Sequence, residues 1–319
     1  MKNVMITGVS GYLGMRLARA LSLSGHVQKI VGIDVQPPGQ SKNFMFYQMD
    51  IRNIEIERKM DEHNIDTVFH LAFVVRPIHD NRRMRDISLY GSKNILVSAI
   101  NAGVTHCVVI SSTLAYGAHP DNHGMLTEKA PLRGNEAFPY GYYKAITDVM
   151  IQEFAQEHPN IMITILRPCT VLGPNIDNYV SRLLFMPFVI GVRASDPQVQ
   201  FVHEDDFVKA CVIAAEKKVS GAFNIAGDGA MTVSEIAGHL GKRLIALPAA
   251  LMYPAWEVLW RLHCPGVEVN SGYLHYARYS FVASNQKAKE QLGFCPAYSS
   301  AETLDATIKA RNCRLHTVD

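Results

Sequence analysis

The sequence predicts an α/β fold, with a parallel sheet covered by helices on both faces, and three observations lead to it. Short β-branched runs alternate with stretches of helical periodicity through the first half of the chain. A glycine-rich string follows the first of these runs and opens the first helix. At 319 residues with 48% hydrophobic content, the chain can bury one large core and carry a smaller lobe beside it.

The first predicted element is a β-α-β unit. A strand over residues 4–7 leads to a helix over residues 12–24, and a second strand follows over residues 29–34. The same alternation continues along the chain, which is typical of a doubly wound parallel sheet. The further predicted strands cover residues 45–49, 67–71, 107–111, 161–166 and 221–226, and the further helices lie near residues 87–102 and 140–157.

After residue 166 the alternation becomes irregular, because prolines divide the chain into short elements. These prolines are Pro168, Pro174, Pro187, Pro197, Pro248, Pro254 and Pro265. Thr232 and Glu235 have the spacing of a capping box, which predicts a helix start. We therefore expect a main domain over residues 1–173, to which residues 201–230 return, and a lobe formed mainly by residues 174–200 and 231–319.

The glycine-rich string reads T-G-x-x-G-x-x-G and predicts a dinucleotide-binding turn of the Rossmann type. Gly8 permits a tight turn, Gly11 lets the backbone approach a pyrophosphate, and Gly14 allows the helix to pack closely on the sheet. The helix N-terminus then faces the phosphates. A glycine-rich turn without a ligand is the alternative, which the flanking strand and helix disfavour. The predicted cofactor contacts here are Gly8, Ser10, Gly11, Tyr12, Leu13 and Gly14.

Asp34 ends the second predicted strand, where a carboxylate can accept hydrogen bonds from the adenosine ribose. An added 2′-phosphate would meet this negative charge, and no arginine follows directly, so the sequence favours NAD over NADP. The alternative is a solvated aspartate at a strand end. Asp50 and Ile51 after the third strand, and Leu71 and Ala72 after the fourth, are further expected cofactor contacts.

Tyr140 and Lys144 stand four residues apart in a predicted helix, so both side chains share one face. A tyrosine with its usual pKa near 10 is a poor base at neutral pH. A neighbouring ammonium group and a cationic nicotinamide both favour the phenolate, which suits acid/base catalysis. Core packing of the aromatic residues is the alternative. Ser112, at the end of the fifth strand, can hydrogen-bond the reacting oxygen.

Together the glycine string, the strand-end serine and the Y-x-x-x-K pair resemble the extended short-chain dehydrogenase/reductases, also called the NAD-dependent epimerase/dehydratase family. The resemblance covers nearly the whole chain and includes residues 167–168, 201–206, 223–227 and 285–294. It implies a catalytic triad of Ser112, Tyr140 and Lys144, with Lys144 also holding the nicotinamide ribose and Pro168 beside the cofactor. It further implies a homodimer that forms through the helices near residues 87–102 and 140–157.

The sequence departs from the nucleotide-sugar members that it resembles. Dehydratases place Asp-Glu after the serine, where this chain has Thr113 and Leu114. Epimerases carry an asparagine where this chain has Thr170, and an arginine just before the segment 201–203. The region 174–201 is also short. The segment 167–174 is closer in style to hydroxysteroid dehydrogenases and dihydroflavonol reductases, and an apolar helix over residues 249–262 either lines an apolar pocket or packs in a core or dimer interface.

We therefore expect an NAD-dependent oxidoreductase that exchanges hydride with a secondary alcohol or ketone, a small molecule bound by the C-terminal lobe. A nucleotide-sugar 4-epimerase with retained NAD is the first alternative. A regulator that binds NAD without chemistry is the second, and the presence of Tyr140 argues against it.

Composition excludes several other classes. A net charge of +2 with scattered basic residues gives no footprint for nucleic acid or a membrane surface. Neither the histidines nor the carboxylates Asp205 and Asp206 have metal-ligand spacing, and we expect the two aspartates to make local hydrogen bonds. The six cysteines show no paired spacing, and Met1 leads directly into a strand pattern without a signal peptide. We therefore expect a cytoplasmic protein without a metal.

Overall fold

The computed structural model describes residues 1–39, 43–74, 78 and 80–315. Its strands are β1 (Asn3–Thr7), β2 (Lys29–Asp34), β3 (Met45–Gln48), β4 (Thr67–His70), β5 (His106–Ile110), β6 (Met162–Pro168), β7 (Thr170–Leu172), β8 (Val189–Val192), β9 (Gln198–Val199), β10 (Phe201–His203), β11 (Gly221–Ile225), β12 (Met231–Thr232) and β13 (Leu244–Leu247). Its helices are α1 (Tyr12–Leu23), α2 (Glu55–Glu62), α3 (Asn81–Arg85), α4 (Ser92–Asn101), α5 (Pro139–Glu157), α6 (Tyr179–Leu184), α7 (Glu204–Lys217), α8 (Val233–His239), α9 (Ala249–Arg261) and α10 (Ser300–Leu315).

The central sheet has the strand order β11-β6-β5-β4-β1-β2-β3, seven strands within the described residues, and every pairing in it is parallel. This is the Rossmann fold that the sequence predicts. The direction of winding reverses between β1 and β4, so the carboxyl ends of these two strands border a crevice. Thr7 at the end of β1 lies level with His70 at the end of β4.

Two apolar layers hold the sheet, one on each face. On one face Leu17 and Leu21 of α1 pack with Phe207 of α7. On the other face α2, α4 and α5 contribute side chains such as Ile95 and Ile151. Strands buried on both faces explain the nearly continuous apolar runs from which the strands were predicted.

The predicted strand ends agree with the structure to within two residues, but one helix differs. The helix expected near residues 87–102 is part of a longer helical stretch, in which α3 and α4 are joined by a π-helical turn at Asp86–Gly91. Gly91 of this turn packs closely against Ile51. A Cβ atom at position 91 would lie 2.5 Å from Cδ1 of Ile51, so a larger residue there would displace the Ile51 side chain. Such turns are frequent near functional sites, and Ile51 lines the cleft described below.

The segments assigned to the C-terminal lobe contain α6, α8, α9 and the two-stranded sheets β12-β9 and β13-β8, while a third two-stranded sheet, β10-β7, lies in the segments assigned to the main domain. The capping box is present, because the Thr232 hydroxyl accepts from the backbone N–H of Glu235 and the Glu235 carboxylate accepts from that of Thr232. Leu292 and Phe294, within the segment assigned mainly to the lobe, pack into the core of the main domain.

None of the helices in the described part of the chain has the length and apolar character needed to cross a bilayer. The local hydrogen bonds expected of Asp205 and Asp206 are not what their carboxylates make, because the fold brings distant segments to α7. The Asp206 carboxylate accepts from the backbone N–H groups of Ala297 and Tyr298, and Asp205 pairs with Arg16.

Candidate active site

A cleft of about 720 Å³ opens at the carboxyl ends of β1, β2, β4 and β5. It brings together nearly all of the residues that the sequence predicts as a site, namely Gly8, Gly11, Tyr12, Leu13, Gly14, Asp34, Asp50, Ile51, Leu71, Ala72, Ser112, Tyr140, Lys144 and Pro168. Ser10 lies beside the cleft rather than in its lining. Its hydroxyl donates to the carbonyl of Gln36 and its backbone N–H donates to Asp34.

The glycine turn leaves space for a ligand at the start of α1. Gly8 has a φ of +75°, and a Cβ atom there would lie 2.7 Å from the backbone nitrogen of Ala72. A Cβ atom on Gly14 would overlap the carbonyl oxygen of Gly8. No side chain caps the N-terminus of α1 at Gly11, and its first turn carries no acidic residue. The N–H groups of Gly8, Ser10 and Gly11 are bonded within the protein, so it is the first turn of α1 that presents its N–H groups and a positive dipole end to an anion.

Asp34 lies at the edge of this turn and helps to shape it. Its carboxylate accepts from the backbone N–H of Ser10 at 3.0 Å and from that of Gln36 at 3.1 Å. At the same end of the cleft, Arg52 pairs with Asp50 at 2.7 Å, and this pairing lowers the pKa of Asp50. Two carboxylates thus face the end of the cleft where a dinucleotide would place its adenosine.

The hydroxyl of Ser111 supplies an independent sign of a missing polar partner. This side chain lines the cleft and is buried, and its Oγ has no hydrogen-bond partner among the described residues. Buried polar atoms are satisfied in most folded proteins, so an unpartnered one in a cleft indicates a ligand or water. Together with the glycine turn and Asp34, it fits a bound dinucleotide. No cluster of three or more potential metal ligands exists within the described residues.

Tyr140 and Lys144 lie in the first turns of α5, facing the carboxyl end of β5. The ammonium group of Lys144 donates to the carbonyl of Ile110 at 2.7 Å and lies 3.7 Å from the centre of the Phe73 ring. The same Phe73 ring meets the Tyr140 ring edge-on, with centroids 5.6 Å apart. Lys144 is only 4% exposed, so its position is fixed by these contacts. Sequence reasoning missed Phe73, although it follows directly on the predicted contacts Leu71 and Ala72.

Burial shifts the pKa values of both groups. It lowers the pKa of Lys144 to about 7, and the nearby Asp148 carboxylate opposes that shift. Burial raises the pKa of Tyr140 well above its usual value near 10, and a hydrogen bond with Ser112 opposes it. The lowering of the Tyr140 pKa that the sequence led us to expect is therefore absent in the protein by itself.

Ser112 is held in place by the loop that follows β5. It caps the short 3-10 turn Thr113–Tyr116 by accepting from the backbone N–H of Leu114 at 3.2 Å. Its hydroxyl also points to the carbonyl of Pro168 at the end of β6. Ser112 and Tyr140 thus present two hydroxyl groups to the same part of the cleft, which suits the recognition of one substrate oxygen.

A buried ion pair supports α5 behind Lys144. Arg167 binds Asp148 through two hydrogen bonds of 2.8 and 2.9 Å, and both side chains are fully buried. Arg167 also donates to the hydroxyl of Tyr116 at 2.9 Å. The four-residue spacing from Lys144 to Asp148 is the sequence signal that could have identified this support.

The lobe closes the other side of the cleft with residues 176–180 and Arg182, which sequence reasoning did not identify. Arg182 is engaged there by two carboxylates. It donates to Glu268 at 2.6 Å and pairs with Asp177 at 2.5 Å. The positive charge of Arg182, on the substrate side of the cleft, is therefore already balanced by two carboxylates of the lobe.

Comparisons with known proteins agree with this geometry. The model of the family described as NAD dependent epimerase/dehydratase matches residues 4–226. An uncharacterized protein of Mycobacterium tuberculosis is 26% identical over 97% of this chain and 84% of its own length. Short-chain dehydrogenase/reductase family 42E member 1 of Homo sapiens is 29% identical over 67% of this chain and 58% of that protein.

Among solved structures, UDP-glucose 4-epimerase of Thermotoga maritima with UDP-glucose has a TM-score of 0.74 and 23% identity, over 98% of this chain and 99% of that one. A likeness at this level of identity shows a shared fold.

Proposed function

This chain belongs to the NAD-dependent epimerase/dehydratase family, and from that membership we propose that it is an NAD-dependent oxidoreductase acting on a secondary alcohol or its ketone. The observation that carries the proposal is the position of Ser112, Tyr140 and Lys144 in one cleft with the glycine turn. Hydride chemistry needs a proton donor and acceptor beside the dinucleotide, and these three side chains supply one.

Each part of the cleft has a role in holding NAD. The backbone N–H groups at the start of α1 would hold the pyrophosphate, and Asp34 would hold the adenosine ribose hydroxyls. Lys144 would hold the nicotinamide ribose, with Ile110 and Phe73 fixing its ammonium group. The bound cofactor would supply a hydride acceptor for alcohol oxidation and, in its reduced form, a hydride donor for ketone reduction.

Tyr140 moves the proton. In alcohol oxidation it accepts the hydroxyl proton, and in ketone reduction it donates a proton to the carbonyl oxygen, while Ser112 hydrogen-bonds the same oxygen. Burial raises the pKa of Tyr140, so the protein by itself presents a protonated hydroxyl that can donate to a carbonyl oxygen. The positive charge of Lys144 favours the opposite, phenolate form.

A nucleotide-sugar 4-epimerase remains the second candidate, because the fold is shared with UDP-glucose 4-epimerases and the same three side chains serve both reactions. The pairing of Arg182 with Glu268 and Asp177 favours the oxidoreductase, since it leaves that cation less able to grip a diphosphate. A regulator that binds NAD without chemistry is disfavoured by the presence of Tyr140.

The first experiment compares the wild type with Tyr140→Phe. We expect NADH binding, followed by fluorescence, to stay unchanged, and turnover of ketones to fall by about 10²- to 10⁴-fold because the proton donor is lost. Unchanged turnover would remove Tyr140 from the mechanism. Denaturing the purified protein and quantifying released dinucleotide separates the two candidates: an epimerase retains NAD in near-stoichiometric amount, whereas an oxidoreductase binds it reversibly.

We further propose that residues 1–173 and 201–230 bind the cofactor, while residues 174–200 and 231–319 mainly bind the substrate. A homodimer is proposed on the outer face of α4 and α5, where an apolar groove includes the exposed side chains Tyr90 and Val149. No disulfide joins cysteines within the described residues, which agrees with the cytoplasmic location that we propose.

A further inference from the structure

A second cavity, of about 120 Å³, lies inside the C-terminal lobe between α6, β8, α9 and the 3-10 turn Ser271–His275. Its walls include Val180, Leu183, Ile190, Met252, Trp256 and Ala277. No charged side chain is among the described residues that line it. An apolar cavity of this kind stays dry and is costly to leave empty, so it is suited to an apolar ligand.

Two polar atoms of the cavity walls, those of Trp256 and Tyr276, are directed to the backbone. The indole N–H of Trp256 donates to the carbonyl of Val269 at 2.8 Å, and the hydroxyl of Tyr276 donates to the carbonyl of Leu114 at 2.9 Å. These side chains therefore present their apolar surfaces to the cavity. A polar ligand such as a sugar or a phosphate would lose its hydrogen bonds to water there and find few replacements.

The cavity lies next to the catalytic cleft. Val180 of α6 lines both spaces. The Phe138 ring lies 6.1 Å from the ring of Tyr140 and 5.6 Å from that of Tyr273, which belongs to the cavity wall. One layer of aromatic side chains and Val180 thus stands between Tyr140 and the cavity. If the Val180 side chain is displaced, a substrate whose oxygen meets Tyr140 extends its carbon skeleton from the cleft into the lobe.

We propose that this cavity is the subsite for an apolar part of the substrate, which is therefore a secondary alcohol or ketone with a hydrocarbon chain or ring. This inference rests on the proposed oxidoreductase function. The neutralised Arg182 on the lobe side of the cleft agrees with it, because a diphosphate would need an available cation at that place. The cavity volume of about 120 Å³ is small, so it suits a short hydrocarbon chain.

The test uses a series of methyl ketones from 2-butanone to 2-dodecanone with NADH. We expect kcat/KM to rise about fourfold for each added methylene, which corresponds to the burial of about 0.8 kcal/mol per CH₂, and then to level off once the cavity is full. Ala277→Leu fills part of the cavity, so the rise should stop about three carbons earlier than in the wild type. Ala255→Leu, on the exposed face of α9, is the matched control and should behave as the wild type.

Binding is measured without turnover through the melting temperature of the protein with NADH and 2-decanol. The alcohol should raise it in the wild type and in Ala255→Leu, and much less in Ala277→Leu. Should Ala277→Leu fail to fold, Leu183→Ala serves instead, because it enlarges the cavity and should move the plateau to longer ketones.

The outcomes separate the two proposals. Ketones that are not reduced, together with a melting-temperature rise that Ala277→Leu abolishes, would contradict hydride transfer to ketones but support the apolar subsite. A flat dependence on chain length and no effect of 2-decanol would overturn the subsite. A melting-temperature rise with UDP-glucose and none with 2-decanol would also overturn it, in favour of a nucleotide sugar.

Discussion

Asp148 lies one helical turn beyond Lys144 on α5, and its carboxylate opposes the loss of charge that burial imposes on the lysine. Asp148 itself is buried and is held by two hydrogen bonds from Arg167. The pair therefore keeps a negative charge fixed behind Lys144. A lysine that must stay positive to hold a ribose and to favour a phenolate depends on such a charge.

The first prediction concerns Asp148→Asn. Removing the carboxylate leaves Arg167 buried without its partner, and we expect a loss of about 3–5 kcal/mol in the free energy of unfolding. The pKa of Lys144 should fall further, so the loss of kcat/KM as pH rises should occur at lower pH than in the wild type. Denaturant unfolding and the pH profile check the two effects. Asp205→Asn, at a surface pair with Arg16, is the control, and an unchanged profile in Asp148→Asn would contradict the role of Asp148.

The second prediction concerns the pH dependence of stability. The pKa of Lys144 is about 7 in the folded protein, against about 10.4 in an unfolded chain. Between these values the unfolded state binds more protons, so the contribution of Lys144 to stability rises with pH across this window. This destabilisation is fully present below pH 7 and relieved above about pH 10.4, and its size is about 5 kcal/mol at most.

Lys144→Met should remove the pH dependence of stability that Lys144 causes. The free energy of unfolding of the variant should therefore exceed that of the wild type, by the largest amount at neutral pH and by the smallest near pH 10. Guanidinium unfolding at several pH values measures it. Lys209→Met changes an exposed lysine of α7, away from the proposed dimer groove, and should follow the wild type at every pH. If the free energies of unfolding of Lys144→Met and the wild type change with pH in parallel, burial does not lower the pKa of Lys144.

The Asp34 carboxylate leads to a third prediction. Asp34→Asn retains an oxygen that can accept from the backbone N–H of Ser10 but removes the negative charge. We expect NADPH to bind about tenfold more tightly to the variant than to the wild type, because the repulsion of the 2′-phosphate is lost, while NADH binding weakens only slightly. Dissociation constants from nucleotide fluorescence decide this. A wild type that prefers NADPH would show that Asp34 does not select NAD.

Sequence patterns predicted the sheet well because its strands are buried on both faces and bounded by turn residues. The sixth strand, expected over residues 161–166, runs from Met162 to Pro168. The glycine turn was predictable for a similar reason, since its backbone needs a φ value that Gly8 adopts without strain. In both cases the information is local in the chain.

What the sequence could not predict depends on contacts between distant segments. The pKa of Tyr140 was expected to fall through its neighbour Lys144, but burial among residues as remote as Tyr276 raises it. The lobe cavity likewise joins Val180 with Ala277, nearly a hundred positions apart. Such effects need the packed fold, because each residue type alone fits many environments.

The last prediction concerns the proposed dimer. Val149 on α5 is 38% exposed and Tyr90, in the π-helical turn before α4, is 53% exposed, and both border one apolar groove. An arginine at position 149 is larger than valine and brings a charge that must lose water in the interface, so Val149→Arg should convert a dimer into a monomer although Glu153 lines the same groove. Sedimentation velocity at micromolar concentration measures the change.

Val258→Arg is the matched control for this experiment. Val258 is 54% exposed, but it lies on the outer face of α9, away from α4 and α5. We therefore expect it to leave the sedimentation coefficient unchanged. If Val258→Arg dissociates the protein while Val149→Arg does not, the dimer forms through the apolar face of α9 instead, and the interface proposed from α4 and α5 is wrong.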